Sequence, residues 1–334
     1  PGDRVAACLP NTPDAVVAML ACTALGATWS SCSPDFGLAG LVSRFRPIAP
    51  TLLIATDGYR YGGKSFDCVP VVAALAAELA VPVVLLPRDP SGPLPAALPE
   101  ATDFRALAAG PLPAEPGALF ASLPFDHPLY ILYSSGTTGA PKAIVHGVGG
   151  TLLQHLKELL LHTDLRAGDA FFYYTTCGWM MWNWLATGLA VGATLVLYEG
   201  SPFHPDPGAL WRLAAEERLA VFGTSARYLA SLRDTGYRPR DAGGLDALRT
   251  VLSTGSPLAP EGFDFVYEAI KPDIQLASIS GGTDIVSCFV LGHPARPVRR
   301  GEIQGPGLGM AVDVFDDAGP PLSAGTGARV RPRP

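Results

Sequence analysis

Short apolar runs alternate with helical periods from the first residues of this chain almost to the last, and that alternation restricts the fold more than any other feature. Arg4–Leu9 reads as a buried strand. Asn11 or Thr12 caps a helix that has Pro13 at its first position, runs to about Leu25 and is ended by Gly26. Strands over Ala27–Ser33, Thr51–Ala55 and Val81–Leu86 then alternate with helices over Leu38–Phe45 and Val69–Leu79. Residues 87–116 are rich in Pro, Ala and Gly and lack periodicity, so they read as a surface connection. The alternation resumes with strands at Leu129–Tyr133, Ala170–Thr175, Thr194–Leu197, Ala220–Gly223, Thr250–Ser253 and Ile274–Ser280, and with helices near Leu152–His162 and Met181–Leu189. Strands separated by helices of this length are joined by crossovers, which gives an α/β fold of two helix-flanked, mainly parallel sheets. The expected division is a first α/β subdomain over 1–116, a second over 117–322 and an atypical tail over 323–334.

Composition narrows the class further. The 334 residues are 48% hydrophobic and carry a net charge of −6, enough chain for a large core and roughly two domains or one large one. Mild acidity argues against nucleic acid or an anionic membrane as a partner, and no uncharged apolar run approaches the roughly 18 residues of a membrane span. Cys8, Cys22, Cys32, Cys68, Cys177 and Cys288 are widely spaced with no CxxC pair, which reads as buried, reduced thiols of a cytoplasmic protein and not as a disulfide framework or zinc site.

The chemistry is concentrated in Tyr133-Ser134-Ser135-Gly136-Thr137-Thr138-Gly139-Ala140-Pro141-Lys142, which follows a strand. Glycines let backbone N–H groups turn toward a polyphosphate, hydroxyls add donors that rotate to fit, and Lys142 supplies a positive charge. The loop contains no GxxxxGK[ST] and so is not a Walker A sequence. A Ser/Thr/Gly stretch can also be a plain linker, but the Pro-Lys end and the apolar strand Ala143–Val145 after it favour phosphate binding.

This loop resembles the phosphate-binding signature of the acyl-adenylate-forming family, which includes acyl-CoA synthetases, luciferases and peptide-synthetase adenylation domains. The resemblance extends over nearly the whole chain and implies the family's large N-terminal domain, without its small C-terminal domain. It implies ATP phosphate binding by Ser134, Ser135, Gly136, Thr137, Thr138, Gly139 and Lys142. A second element, Ser280-Gly281-Gly282-Thr283-Asp284, resembles the family's Thr-acid pattern. By that match Thr283 contacts the α-phosphate and Asp284 helps hold Mg²⁺, for which a carboxylate oxygen near phosphates is apt chemistry. Asp stands where the wider family usually has Glu, which shortens the reach by one methylene. Taken alone, Asp284 could equally cap a turn. Gly255-Ser256-Pro257, with Ser280, matches the adenine side, although by itself it reads as a strand-to-helix turn.

Gly178-Trp179-Met180-Met181-Trp182-Asn183-Trp184 is unusually aromatic. On composition it is a buried helix start; in the family this place lines the acyl pocket, which makes Trp179, Met180 and Met181 candidate walls. The family's acetate-activating members carry a Trp at the position of Gly281, so glycine there implies room for a longer acid, and Ser280 or Asn183 would donate to a ketone. Trp29–Gly37, Asp57–Lys64, Gly223–Leu229, Leu252–Leu258, Ser278–Phe289 and Gly301–Gln304 resemble the branch of the family that activates acetoacetate. The implied activity is ATP-dependent adenylation of acetoacetate and transfer of the acyl group to coenzyme A. The expected partners are these small molecules, with no nucleic acid and no membrane. Alternatives are acetate, propionate or another short acid as substrate, another adenylating enzyme on the same scaffold, or a non-catalytic nucleotide-binding remnant.

No GxSxG or HExxH is present, and none is needed for this chemistry. His146 is a weak candidate near the acid, and the other histidines suggest no role. By the resemblance, the family's large domain begins before Pro1 and continues past Pro334 to a ribose-binding aspartate, a hinge and a domain bearing a catalytic lysine. Little or no synthetase activity is therefore expected of these residues alone.

Overall fold

The computed structural model describes residues 1–89, 91–111, 114–134, 139, 141–315 and 329–332. They form two compact units, one of residues 1–153, 173–186 and 197–209, the other of residues 154–172, 187–196 and 210–334.

The strands of the first unit are β1 (Arg4–Cys8), β2 (Thr28–Cys32), β3 (Leu52–Thr56), β4 (Gly58–Tyr61), β5 (Lys64–Asp67), β6 (Val83–Leu86), β7 (Thr102–Asp103), β8 (Pro128–Ser134) and β9 (Lys142–Gly147). Seven of them make one sheet in the order β7-β6-β3-β1-β2-β8-β9. Each neighbouring pair is parallel except the last, where β9 returns antiparallel to β8. Helices α1 (Pro13–Ala24), α2 (Gly37–Ile48), α3 (Val69–Leu79) and α4 (Phe104–Ala108) make the crossovers. Because helices cover parallel strands, β2 and β6 are buried at every residue; β6 (Val-Val-Leu-Leu) shows this as an apolar run, whereas β2 buries Ser30 and Ser31 with their hydroxyls hydrogen-bonded. Leu41 and Phe45 of α2 and Val72 and Leu75 of α3 pack with Ala6, Leu53 and Leu85 of the sheet into one apolar cluster. Each such fully buried side chain contributes roughly 1.5–3 kcal/mol.

The second unit holds a five-stranded sheet of β10 (Ala170–Tyr173), β11 (Thr194–Val196), β12 (Val221–Ser225), β13 (Thr250–Thr254) and β14 (Gln275–Ser278), in the order β11-β10-β12-β13-β14. The pairs β10–β11, β12–β13 and β13–β14 are parallel. Trp211 stacks on Phe222 at 4.4 Å between ring centres in its core. A smaller antiparallel sheet follows from β15 (Ser280–Gly282), β16 (Ser287–Leu291) and β17 (Gly305–Pro306). β18 (Val312–Phe315) pairs antiparallel with β19 (Arg329–Pro332), which lies within the tail set apart as atypical.

The division expected at residue 116 is corrected. β8 lies beyond the Pro-rich connection, yet it joins the first sheet through parallel pairing with β2 and brings β9 with it. Residues 173–186 and 197–209 also belong to the first unit, so the acyl-pocket segment assigned to 117–322 lies with the earlier residues. The hairpin β4–β5 is a further addition. Its turn residues Gly62 and Gly63 both have positive φ (55° and 78°), as a two-residue hairpin turn requires.

Candidate functional site

In the first unit the phosphate-loop candidate is the connection of an antiparallel hairpin. Ser134 at the end of β8 is the register partner of Lys142 at the start of β9, so the two ends of the loop are held side by side. Lys142 is exposed, and Gly139 has φ 139°. Ser135, Gly136, Thr137 and Thr138 lie outside the described residues. The base of the hairpin is rigid: the Tyr133 hydroxyl accepts from Ser30 Oγ at 3.1 Å and donates to Arg44 O at 2.9 Å. Burial pushes the Tyr133 phenol above its ordinary value. His146, on β9 opposite Tyr130, is buried.

The aromatic segment of the same unit divides along its length, its start accessible and its later residues enclosed on every side. Helix α5 spans Val148–Lys157 and α6 spans Met180–Ala186. Trp182, Asn183 and Trp184 face inward, fully buried, and Trp182 Nε1 donates to Asn11 Oδ1 at 2.9 Å. Trp179 is 59% exposed and Met180 and Met181 are half-buried, so the three wall candidates are the accessible side chains of the segment. Of the two donors considered for a ketone, Asn183 is enclosed and Ser280 is exposed. Asn11 went unnoticed in the sequence except as a cap. Its backbone N–H donates to Glu199 Oε2 at 2.7 Å, and its side chain joins Trp182 to the carbonyls of Thr175 and Tyr198. Burial raises the Glu199 carboxyl above its ordinary range. Glu199 lines a cavity of about 240 Å³ with Tyr59, Tyr61, Phe66 and Tyr174. It also lines one of about 790 Å³ that Arg60, Arg88 and Arg105 share.

In the second unit the adenine-side and Thr-Asp candidates follow β13 and β14, two adjacent parallel strands. Both therefore lie at the carboxyl edge of the sheet, where open α/β sheets bind ligands. Thr254 Oγ1 donates to Ile279 O at 3.0 Å and ties the two strand ends together. Gly255 has φ 86°, and Gly255, Ser256 and Pro257 are exposed. Ser256 and Pro257 line a cavity of about 280 Å³ with Ala226, Arg227 and Leu258.

Ser280, Gly281 and Gly282 form β15, and Thr283–Ile285 make one tight helical turn with Asp284 exposed. Val286 then takes φ 49°, ψ 36°, a left-handed conformation that a β-branched residue adopts only at a cost of about 1–3 kcal/mol. The surroundings hold it there. His155 Nε2 donates to Val286 O at 2.8 Å, which leaves His155 Nδ1 to accept from Thr187 Oγ1 at 2.9 Å. Glu158, also fully buried, accepts from Cys288 N at 3.0 Å and from the Ser287 hydroxyl. No sequence signal beyond one carboxylate before the run Leu159-Leu160-Leu161 announced this arrangement.

Gly281 has a structural reason to be glycine. A Cβ there would lie 2.1 Å from Ser287 O and 2.8 Å from Cys288 Cα on the paired strand β16. Among the described residues no group of three or more His, Cys, Asp and Glu could hold a metal ion. A single exposed carboxylate suits Mg²⁺, which keeps several waters and takes its remaining oxygens from substrate phosphates. No helix of the described residues is long and apolar enough to cross a membrane.

The family described as AMP-binding enzyme matches residues 1–329. An acetoacetyl-coenzyme A synthetase of Rhizobium meliloti (strain 1021) is 59% identical over 98% of this chain and 50% of its own length. The malonamoyl-CoA synthetase of Penicillium aethiopicum is 42% identical over 97% of this chain and 47% of its own. The solved acetoacetyl-CoA synthetase from Streptomyces lividans superposes with a TM-score of 0.90 at 47% identity, covering 97% of this chain and 50% of that one. The chain thus spans about half the length of the relatives it matches, and over that half it belongs to the AMP-binding enzyme family.

Proposed function

We propose that this chain is the nucleotide-handling part of an AMP-forming acid–thiol ligase that activates acetoacetate and passes the acyl group to coenzyme A. The observation that carries the reading is the placement of Gly255–Pro257 and Thr283–Asp284 after two adjacent parallel strands, at the edge where such sheets bind nucleotides. In the first step the acid's carboxylate attacks the α-phosphorus of ATP and pyrophosphate leaves. In the second the thiol of coenzyme A attacks the acyl carbon and AMP leaves. The chain's contribution is positioning and charge stabilisation. Lys142 and the loop that it closes hold the outer phosphates, Thr283 the α-phosphate, and Gly255, Ser256, Pro257 and Ser280 the adenine side. Asp284 would hold Mg²⁺, which when bound neutralises phosphate charge.

The acyl group falls to Trp179, Met180, Met181 and Gly281. Relatives named for acetoacetyl and malonamoyl groups support a short acid with a carbonyl at its third carbon. The cavity bearing Arg60, Arg88 and Arg105 offers guanidinium charge for the phosphates of coenzyme A, with Arg105 already paired to Asp103 and Arg88 beside Asp57.

The test is acid-dependent ATP–pyrophosphate exchange by the full-length protein with acetoacetate, acetate, propionate and butyrate. Exchange strongest with acetoacetate, and reduced about 100-fold or more by Lys142→Ala or Asp284→Ala, is expected. Exchange strongest with acetate would keep the reaction class and discard the substrate. Exchange with no acid would leave a non-catalytic nucleotide-binding protein.

A further inference from the structure

Three consecutive residues just after the Thr283–Asp284 turn are held by side chains of one neighbouring helical segment. Val286 O accepts from His155 Nε2 at 2.8 Å. The Ser287 hydroxyl meets both Gln154 Nε2 and Glu158 Oε1. Cys288 N donates to Glu158 Oε1 at 3.0 Å. Gln154 Nε2 also reaches Glu158 Oε1 at 3.2 Å, and Lys157 Nζ lies 3.7 Å from the same oxygen as its counter-charge. Glu158 and His155 are each 0% exposed, so neither can touch a ligand in solvent. Burying a carboxylate is costly unless it is paired and hydrogen-bonded, and here a single oxygen collects three donors and an ammonium group. Of these three residues Val286, whose carbonyl His155 holds, is in strained left-handed backbone; Glu158 and Gln154 fix the next two, and Asp284 stands two residues before Val286. Without the grip the backbone would relax toward an ordinary conformation and swing the turn.

We propose that Glu158, with Gln154 and His155, is a positioning clamp that sets the direction of the Asp284 carboxylate and the Thr283 hydroxyl, and thereby the affinity for Mg²⁺-bound nucleotide. The proposal rests on the reading of Asp284 as the Mg²⁺ ligand. Glu158 acts through the backbone of 286–288 and is not a catalytic residue. Its loss should change the Mg²⁺-dependent part of nucleotide binding and leave the Mg²⁺-independent part alone, a distinction that general destabilisation would not produce.

The experiment is calorimetric titration of the full-length protein with ATP, once with Mg²⁺ and once with EDTA, for the wild type, Asp284→Ala, Glu158→Ala, Glu158→Gln and Ser287→Ala. Thermal melts identify the variants that remain folded. Mg²⁺ should tighten ATP binding by the wild type, and Asp284→Ala should remove that gain. Glu158→Ala should weaken binding with Mg²⁺ about tenfold, and Ser287→Ala about threefold, with the EDTA values unchanged. Glu158→Gln, which keeps an acceptor oxygen for Cys288 N, should recover most of the loss. Ser287→Ala changes little volume and serves if Glu158→Ala does not fold. If Asp284→Ala removes the Mg²⁺ effect while folded Glu158→Ala or Ser287→Ala binds Mg²⁺-ATP like the wild type, the clamp is overturned and the Asp284 reading stands. If ATP binding by the wild type ignores Mg²⁺, the Asp284 reading fails and the clamp with it.

Discussion

At Gly281 two explanations of the same glycine meet. Its family position suggests room for an acid longer than acetate, whereas its surroundings show β16 backbone too close for any side chain. Backbone cannot rotate aside as a flexible side chain can, so adding even a methyl group forces the two strands apart. Gly281→Ala should therefore lower stability by about 1–3 kcal/mol, read from the urea midpoint, before it says anything about acid size. Met180 and Met181, half-buried at the start of α6, are better places to probe selectivity. The cysteines give a second prediction at this scale. Burial raises the thiol pKa to about 11 for Cys22 and Cys68 and about 12 for Cys32, and pushes Cys8, Cys177 and Cys288 upward as well. Thiolate is the reactive form, so Ellman's reagent at pH 8 should modify none of the six quickly in the native protein and all six after unfolding.

The elements of the second unit are joined by buried polar contacts as well as by strand pairing. His162, at the end of the widened helical turn Glu158–His162, is nearly inaccessible. Its Nδ1 donates to Gly292 O at 2.7 Å, and its Nε2 accepts from Leu308 N at 3.0 Å. A second ring proton would confront the Leu308 N–H. Burial, with Lys157 and His293 nearby, holds the ring's pKa below its ordinary value against the opposing Gly292 carbonyl and Glu158. The unfolded ring takes up a proton near pH 6.5 and the folded ring only at lower pH. Stability is thus fully present above about pH 6.5, falls as pH drops toward the folded pKa, and is wholly lost below it as far as this group is concerned. The urea midpoint should fall between pH 7.5 and 5.5, and His162→Gln should flatten that fall. An equal fall in the variant would assign the effect to other groups.

For the whole molecule the relevant scale is the length of the relatives, of which this chain represents about half. Pyrophosphate exchange and nucleotide binding are accordingly measured on the full-length protein. The residues proposed for the site are divided between the two units: Lys142 and Trp179–Met181 belong to the first, Gly255–Pro257 and Thr283–Asp284 to the second. Exchange that depends on residues of both units would show that one reaction draws on both.

The alternation of strands with helices and the parallel character of the two main sheets were determined by the sequence, as was the candidate status of the phosphate loop, because each is written in neighbouring residues. Helical and strand periods are local, and the glycines, hydroxyls and lysine of residues 133–142 are contiguous. The boundary at 116 failed because pairing of β8 with β2 depends on contacts such as Ser30 Oγ to Ile131 O, made across 101 residues. Likewise Glu158 meets Ser287 across 129 residues, and nothing around either one signals the other. The contact that forbids a side chain at Gly281 depends on the register of β16, which only strand pairing sets. Local chemistry can be read along the chain, but which distant group satisfies a buried donor, or crowds a glycine, is decided only when the chain has packed.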